Sequence, residues 1–265
     1  MPEATTNGRQ AFGPHFVQSV ARALAVIRSF SDRRPTLTLS EAAQETGLDR
    51  ATARRLLLTL ADLGYVRTDG RHFELTPRTL ELGYAYLSSL SLPEIARPHL
   101  RELSRRLNET ATLTVLDGDE IVYVGLVAST RLAAVQISLG TRFAAYATSM
   151  GRVLLAGLPD DELEKRVANL RLEPRTERTV RTPEELRAEL YRIREQGWAL
   201  VDGELETELR GAAAPVRDRS GEVVAAVNVS VHADRIAPDT VAAEYVPEIL
   251  RTVGLIERDL AGAAG

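Results

Sequence analysis

The chain contains no cysteine, which excludes disulfides and thiolate metal sites without identifying a compartment. Its four histidines, His15, His72, His99 and His232, show no metal-ligand spacing. No apolar run approaches the roughly 20 residues of a membrane span. The opening MPEATTNGRQAFG lacks the apolar centre of a signal peptide. A soluble, cytoplasmic chain with no membrane partner is therefore expected. No G-x-S-x-G elbow, G-x-x-x-x-G-K-[ST] loop, H-E-x-x-H helix or Cys/His set occurs. Neither catalytic residues nor a cofactor are expected: Ser149 and His232 could act as nucleophile and base only if the fold joined them, and no sequence signal does so.

With 265 residues the chain can form one domain of roughly 60 residues and a larger one, each burying its own core. The net charge of −4 is unevenly spread. Residues 16 to 76 carry nine arginines against seven acids, so this segment is +2 and the remainder −6. A positive footprint confined to one segment implies modest, salt-sensitive attraction to nucleic acid there.

Within that segment, the stretch from Leu39 to Leu75 is ordered as helix, corner, helix and β-wing. Ser40 is read as the first cap, its hydroxyl taking a free backbone N–H, with Ala42 and Ala43 turned inward. Gly47 ends the helix, because a residue without Cβ reaches positive φ at no steric cost. Asp49 caps a second helix that shows Arg50, Thr52, Arg54 and Arg55 on one surface and buries Leu56, Leu57, Leu60 and Leu63. After Gly64, Tyr65-Val66-Arg67 and His72-Phe73-Glu74-Leu75 alternate as strands around the turn Thr68-Asp69-Gly70-Arg71, which places Arg67, Arg71 and His72 on the wing. A helix of this kind fits the major groove of double-stranded DNA with its early residues at base edges and phosphates. The competing reading is a small helical core whose arginines are merely solvated.

Val17, Val20, Leu24, Ile27 and Phe30 recur at helical intervals and predict a first helix beneath these two. Thr76-Pro77 starts another, with a stripe of Leu80, Tyr84, Leu87 and Leu90, and Pro93 stops it. Beyond Glu94 the pattern alternates: a helix over 95–108, a hairpin over 111–127, a strand over 132–139, helices over 149–158, 159–169 and 183–196, strands over 198–201, 211–217 and 222–232, and a closing helix striped by Ile249, Val253, Ile256 and Leu260. Hairpins mixed with helices argue for a largely antiparallel sheet flanked by helices, as in a small-molecule sensor. The expected divisions are a mobile tail (1–15), a winged helix-turn-helix (16–76), a linker helix (77–92) and an effector-binding domain (93–262).

Three features of the sensor segment point to a ligand. The start of the helix at Thr148-Ser149-Met150-Gly151 offers free N–H groups and a positive dipole end to a carboxylate; alternatively Thr148 or Ser149 is only a cap. Asn228 and Ser230 share one face of a strand whose other face is Val227, Val229 and Val231, so they either line a cavity or face water. Arg142 and Tyr146 either pair with an acid or phenol or, for Arg142, form ordinary surface. Asp202, Glu204, Glu206 and Glu208 form an acidic run, its last three read as a hydrated loop.

Beyond about Phe16 the chain resembles the IclR family of bacterial transcriptional regulators. The likeness rests on the helix-turn-helix, on Ala147 to Ala156 (ATSMGRVLLA), similar to that family's TxxGKxLLA signature, and on Gly197-Trp198 followed by Arg210 to Val216 (RGAAAPV). A narrower resemblance is to the branch regulating aromatic-acid catabolism through β-ketoadipate, in Phe16 to Ser19 (FVQS), Leu75 to Arg78 (LTPR), Tyr86 to Ser89 (YLSS), Gly140 to Phe143 (GTRF) and Val227 to Ser230 (VNVS). That branch usually has Gln, Gly and Ser where this chain has Gly203, Glu208 and Gly211. The resemblance implies an α+β protein with a winged helix-turn-helix joined by a linker helix to a GAF-like effector domain. It implies an effector pocket at the 149–158 helix start, walled by positions matching Val201, Asp202, Leu209, Gly211, Asn228 and Ser230. The whole implies a homodimer or tetramer on a pseudo-palindromic operator, switched by a small organic acid, either an aromatic acid or a β-ketoadipate-pathway metabolite; the rivals are an architectural DNA-binding protein without effector and an enzyme with an accessory DNA-binding domain.

Overall fold

A Thr-x-x-Glu sequence sets the first boundary of the reading head. In a computed structural model describing residues 13–31, 33–87, 91–129 and 137–263, the Thr38 hydroxyl accepts the Glu41 N–H at 3.3 Å, and the Glu41 carboxylate accepts the Thr38 N–H at 2.7 Å. This reciprocal box satisfies two backbone donors that the helix leaves unpaired. It starts α2 (Leu39–Thr46) directly after the short strand β1 (Thr36–Thr38). Ser40 thus lies inside the first turn and is not the cap. The threonine two residues earlier has the acid at the right offset, and Ser40 does not.

The chain divides into two units, residues 1–86 and 87–265. In the first, α1 (Gln18–Arg28), α2 and α3 (Arg50–Asp62) pack with a three-stranded antiparallel sheet of order β1-β3-β2, where β2 is Val66–Thr68 and β3 is His72–Leu75. Gly47, at φ +64°, makes the corner between α2 and α3. Val26, Leu37, Ala42, Leu57, Leu60, Val66 and Phe73 form the core. Two expectations fail here. Leu63 is exposed, because helical spacing carries it past the face that Ala53, Leu57 and Leu60 bury. Val17, Val20 and Leu24 are also exposed; of the expected stripe Ile27 and Phe30 reach the core, joined there by Val26. The expected tail falls largely on residues outside those described.

Thr76 caps the next segment, its hydroxyl accepting the Arg78 N–H at 3.2 Å. Pro77–Thr79 is a 3₁₀ turn that runs into α4 (Leu80–Leu87). Of the expected stripe, Leu80 is exposed, and Tyr84, Leu87 and Leu90 lie outside the described side chains. Pro93 does not stop a helix. It lies within α5 (Ser91–Leu107), which continues past it to Leu107.

The second unit is built on a six-stranded antiparallel sheet of order β6-β5-β4-β9-β8-β7. Its strands are β4 (Thr110–Asp117), β5 (Glu120–Val127), β6 (Arg142–Ala144), β7 (Ala199–Asp202), β8 (Leu209–Arg217) and β9 (Val223–His232). The strand expected over 132–139 falls mostly outside the described residues. Residues 137–140 are loop and turn, and the strand pairing with β5 is β6.

Helices cover both faces of this sheet. On one, α5 and the closing helix α10 (Val246–Ala263) bury Leu100, Leu103, Ile249, Val253 and Ile256 against Val227, Val229 and Val231. A short α9 (Pro238–Thr240) and a π-helical turn (Val241–Tyr245) lead into α10. On the other face, α6 (Ser149–Ala156) lies on the sheet, backed by α7 (Asp160–Asn169) and α8 (Pro183–Gln196). All eight residues of α6 are buried. Because strand residues alternate faces, the valines of β9 that meet α5 and α10 leave Asn228 beneath α6. The water-facing reading of this strand is thereby excluded: Asn228 is 1 % exposed.

Candidate functional site

Two sets of side chains keep donors that the described residues do not use. The first is on α3 and the wing. Asp49 caps α3, accepting the Thr52 N–H at 2.9 Å and the Thr52 hydroxyl at 2.7 Å. These two bonds hold the Asp49 carboxyl below its usual range, and they commit the Thr52 hydroxyl proton to the cap. Arg50, Arg54 and Arg55 are exposed and form no ion pair among the described residues. Three uncompensated guanidinium groups on one short helix make a concentrated positive surface with many donors.

The wing arginines differ from each other. Arg67 faces Glu74 across the β2–β3 ladder and is ion-paired to it, whereas Arg71, at the turn, is exposed without an ion-pair partner among the described residues. Asp69 organises that turn. It accepts the N–H groups of His72 at 2.7 Å and Arg71 at 2.8 Å, which lower its carboxyl to about 2. His72 is turned to Asp69 at 3.2 Å.

The second set surrounds the start of α6. A narrow slot with about 20 Å³ of free space is lined by Tyr123, Ile137, Phe143, Ala147, Thr148, Ser149, Met150, Val201, Leu205, Leu209, Gly211 and Ser230. Thr148 is the N-cap: its hydroxyl accepts the Gly151 N–H at 3.0 Å and donates to the Ala145 carbonyl at 3.3 Å. The N–H groups of Ser149 and Met150, in the first turn, have no intrahelical acceptor. Beneath them, the Asn228 amide donates to the Ser149 hydroxyl at 3.0 Å and to the Ala212 carbonyl at 2.9 Å. Its carbonyl oxygen accepts the Ser230 hydroxyl at 2.9 Å and the Thr112 hydroxyl at 3.4 Å. Because the Ser149 oxygen is already an acceptor from Asn228, its own proton is left to be given to something else. Free N–H groups at a helix start together with an uncommitted hydroxyl proton suit an anionic, acceptor-rich group.

Gly211 forms part of the floor. Its φ does not require glycine, yet a Cβ there would come within 3.0 Å of Ser149 Oγ and 3.1 Å of Asn228 Nδ2. The missing side chain makes room where β8 meets α6.

Several residues expected in the pocket are elsewhere. Arg142 is half exposed, bonded to Glu120 at 2.8 Å and Asp117 at 2.7 Å. Acids at the β4–β5 turn capture it before it can reach the slot, and they raise its pKa. The Tyr146 hydroxyl is satisfied by the backbone of Glu173, donating to its carbonyl at 2.7 Å and accepting its N–H at 3.0 Å. Asp202 turns to Arg210 at 2.7 Å and Arg178 at 2.6 Å. Gly151 packs on the backbone of Ala145, and Asn228 supports the slot from behind. Glu204 is not part of a hydrated loop: its carboxylate is nearly buried against Arg152, bidentate at 2.8 and 2.5 Å.

Tyr123, Ile137, Phe143, Ala147 and Leu205 are lining residues that sequence reading missed. Only Tyr123 carried a signal, as a phenol at an inward position two residues from Ile121 on β5. Among the described residues no three His, Cys, Asp or Glu side chains group to hold a metal, and no helix is long and apolar enough to cross a membrane.

Comparison with known proteins adds to this geometry. Residues 19–70 match the model of the IclR helix-turn-helix domain, and residues 84–258 that of the bacterial transcriptional regulator IclR C-terminal domain. The chain is 44 % identical over 244 residues to the Pca regulon regulatory protein of Pseudomonas putida, covering 91 % of this chain and 84 % of that one. A crystal structure from Rhodococcus sp. RHA1 is similar at 52 % identity and TM-score 0.84, over 94 % of this chain and all of that one. An IclR homologue from Microbacterium hydrocarbonoxydans, solved in complex with 4-hydroxybenzoate, is similar at 26 % identity and TM-score 0.80, over 92 % of this chain and 99 % of that one.

Proposed function

Since the chain belongs to the IclR family of bacterial transcriptional regulators, joining a DNA-binding head to an effector-binding domain, we propose that its operator affinity is set by a small aromatic acid held in the slot at the start of α6. The observation that carries this reading is the hydrogen-bond state of Ser149. Its oxygen is occupied by Asn228, so its proton, with the first N–H groups of α6, is offered to an acceptor. A carboxylate satisfies all of these donors at once, and the apolar walls Ile137, Phe143, Leu205 and Leu209 suit a flat hydrocarbon ring. The 4-hydroxybenzoate complex of the Microbacterium homologue supports the same ligand class.

Two copies would place two α3 helices in successive major grooves of a pseudo-palindromic operator. The acid changes operator affinity only by the difference in its affinity for the DNA-bound and free arrangements. Two measurements test the reading. Thermal-shift titration of the full chain should show stabilisation by aromatic acids that Ser149→Ala weakens; no stabilisation by any such acid removes the effector. On the DNA side, Arg54→Ala is expected to weaken operator binding about tenfold, the order of one lost base or phosphate contact. An unchanged gel-shift titration would reject α3 as the reading helix.

A further inference from the structure

Every polar side chain lining the slot has a partner inside the protein except one. Thr148 is bonded to Gly151 and Ala145, and Ser149 and Ser230 to Asn228. Tyr123 lines the same slot and is 3 % exposed; its hydroxyl makes no hydrogen bond to another described residue, and it is not among the fully sealed orphan atoms, of which the described residues hold only Thr114 Oγ1. A tyrosine normally gives its hydroxyl a partner, and one with none inside the protein leaves that donor to whatever enters the slot, a role phenylalanine could not fill. Burial also pushes the phenol's pKa up, so the group stays protonated and able to donate.

The ring is held firmly. It stands edge-on to Phe143, with centroids 6.1 Å apart and planes at 85°. On either side its backbone is bonded into the turn before β6, with Tyr123 N–H to the Thr141 carbonyl at 3.1 Å and Gly140 N–H to the Tyr123 carbonyl at 2.8 Å. The hydroxyl is therefore carried on β5 beside the apolar Phe143, an element other than the start of α6 that bears Thr148 and Ser149.

From this we infer that Tyr123 is a specificity-determining residue that reads a ring hydroxyl on the bound acid, so that the slot selects hydroxylated aromatic acids over unsubstituted ones. The inference rests on the slot being the effector site. A pocket built to bond a ligand hydroxyl discriminates against the analogue lacking it, because the protein's own polar group is then left unpaired. A pocket that is merely apolar does not discriminate in this way.

The test is calorimetric titration of the full-length protein and its Tyr123→Phe variant with benzoate, 3-hydroxybenzoate and 4-hydroxybenzoate. In the unmodified protein at least one hydroxybenzoate should bind about tenfold more tightly than benzoate, the order of one buried hydrogen bond. Tyr123→Phe should remove that advantage while leaving benzoate affinity within about twofold. Equal weakening of all three acids would place Tyr123 on the carboxylate and overturn the inference, as would no change in any of them. Failure of all three acids to bind the unmodified protein would overturn the slot reading itself, and this inference with it. Binding of benzoate that Ser149→Ala weakens, without preference for a hydroxylated acid, would leave the slot standing and remove only the role of Tyr123.

Discussion

Replacing Glu204 with Ala is expected to lower stability by about 3–5 kcal/mol, the usual cost of removing one partner from a buried ion pair. The reason is the residue left behind. The Arg152 side chain is 4 % exposed, and its guanidinium is shared between the Glu204 carboxylate, the Tyr146 carbonyl at 2.8 Å and, at 4.0 Å, Glu189. Without Glu204 that charge stays inside with too few acceptors. The loop is loosened at the same time: the Glu204 carboxylate also accepts the Val180 N–H at 3.0 Å, and its removal leaves only the backbone carbonyl of residue 204, which accepts the Thr179 hydroxyl at 2.7 Å. Since Leu205 lines the slot from this loop, weaker effector binding should accompany the loss. For a unit of this size the thermal midpoint should fall by roughly 10 °C. The double replacement Arg152→Met with Glu204→Leu should recover much of it, because paired removal leaves no orphaned charge. A fall of only one or two degrees in the single variant would mean that water or Glu189 compensates Arg152.

Gly151→Ala is expected to reverse the ordinary effect of that change in a helix. Alanine usually stabilises a helix interior by about 0.5–1 kcal/mol relative to glycine. Here the added Cβ would overlap the backbone O, Cα and C of Ala145, atoms that cannot rotate away. The start of α6 must then shift from the 3₁₀ turn Ala145–Ala147, disturbing the Thr148 cap and the slot together. A loss of about 3 kcal/mol is expected, at the upper end of overpacking costs, read as a lower denaturant midpoint. Gly254→Ala in α10 supplies the control. Nothing lies within 4 Å of that position, so the same substitution should stabilise by about 0.5–1 kcal/mol. If the two variants shift the midpoint in the same direction, close packing is not what holds residue 151 to glycine.

Local signals carried the reading head. Gly47, Asp49 and the wing turn are each set by residues within a few positions of one another. The Ser40 cap misled because it was chosen by residue type alone, whereas the Thr38–Glu41 offset shows which hydroxyl has a carboxylate in reach. Helical period likewise marked Val17, Val20 and Leu24 as an apolar stripe, but periodicity shows that a face is apolar and not what covers it. In the effector unit, the turn of α6 and the alternation of β9 were evident, and both place residues at the slot. Arg142 and Tyr146 were assigned by proximity along the chain, yet their partners, Asp117, Glu120 and Glu173, come from other segments.

The sequence by itself determined the Gly47 corner, the Asp49 cap, which face of β9 is polar, and which segment carries positive charge, because caps, glycine corners and side-chain period act over a few residues. Only the tertiary structure decided what shares the slot. The order β5-β4-β9-β8-β7 and the seating of α6 on that sheet bring Tyr123, Ser149, Leu205 and Gly211 to one cavity. They also set Arg152 against Glu204, 52 positions away. Such pairings are decided by which strands become neighbours and what must then be buried or neutralised between them, a condition on the whole domain that no local pattern contains.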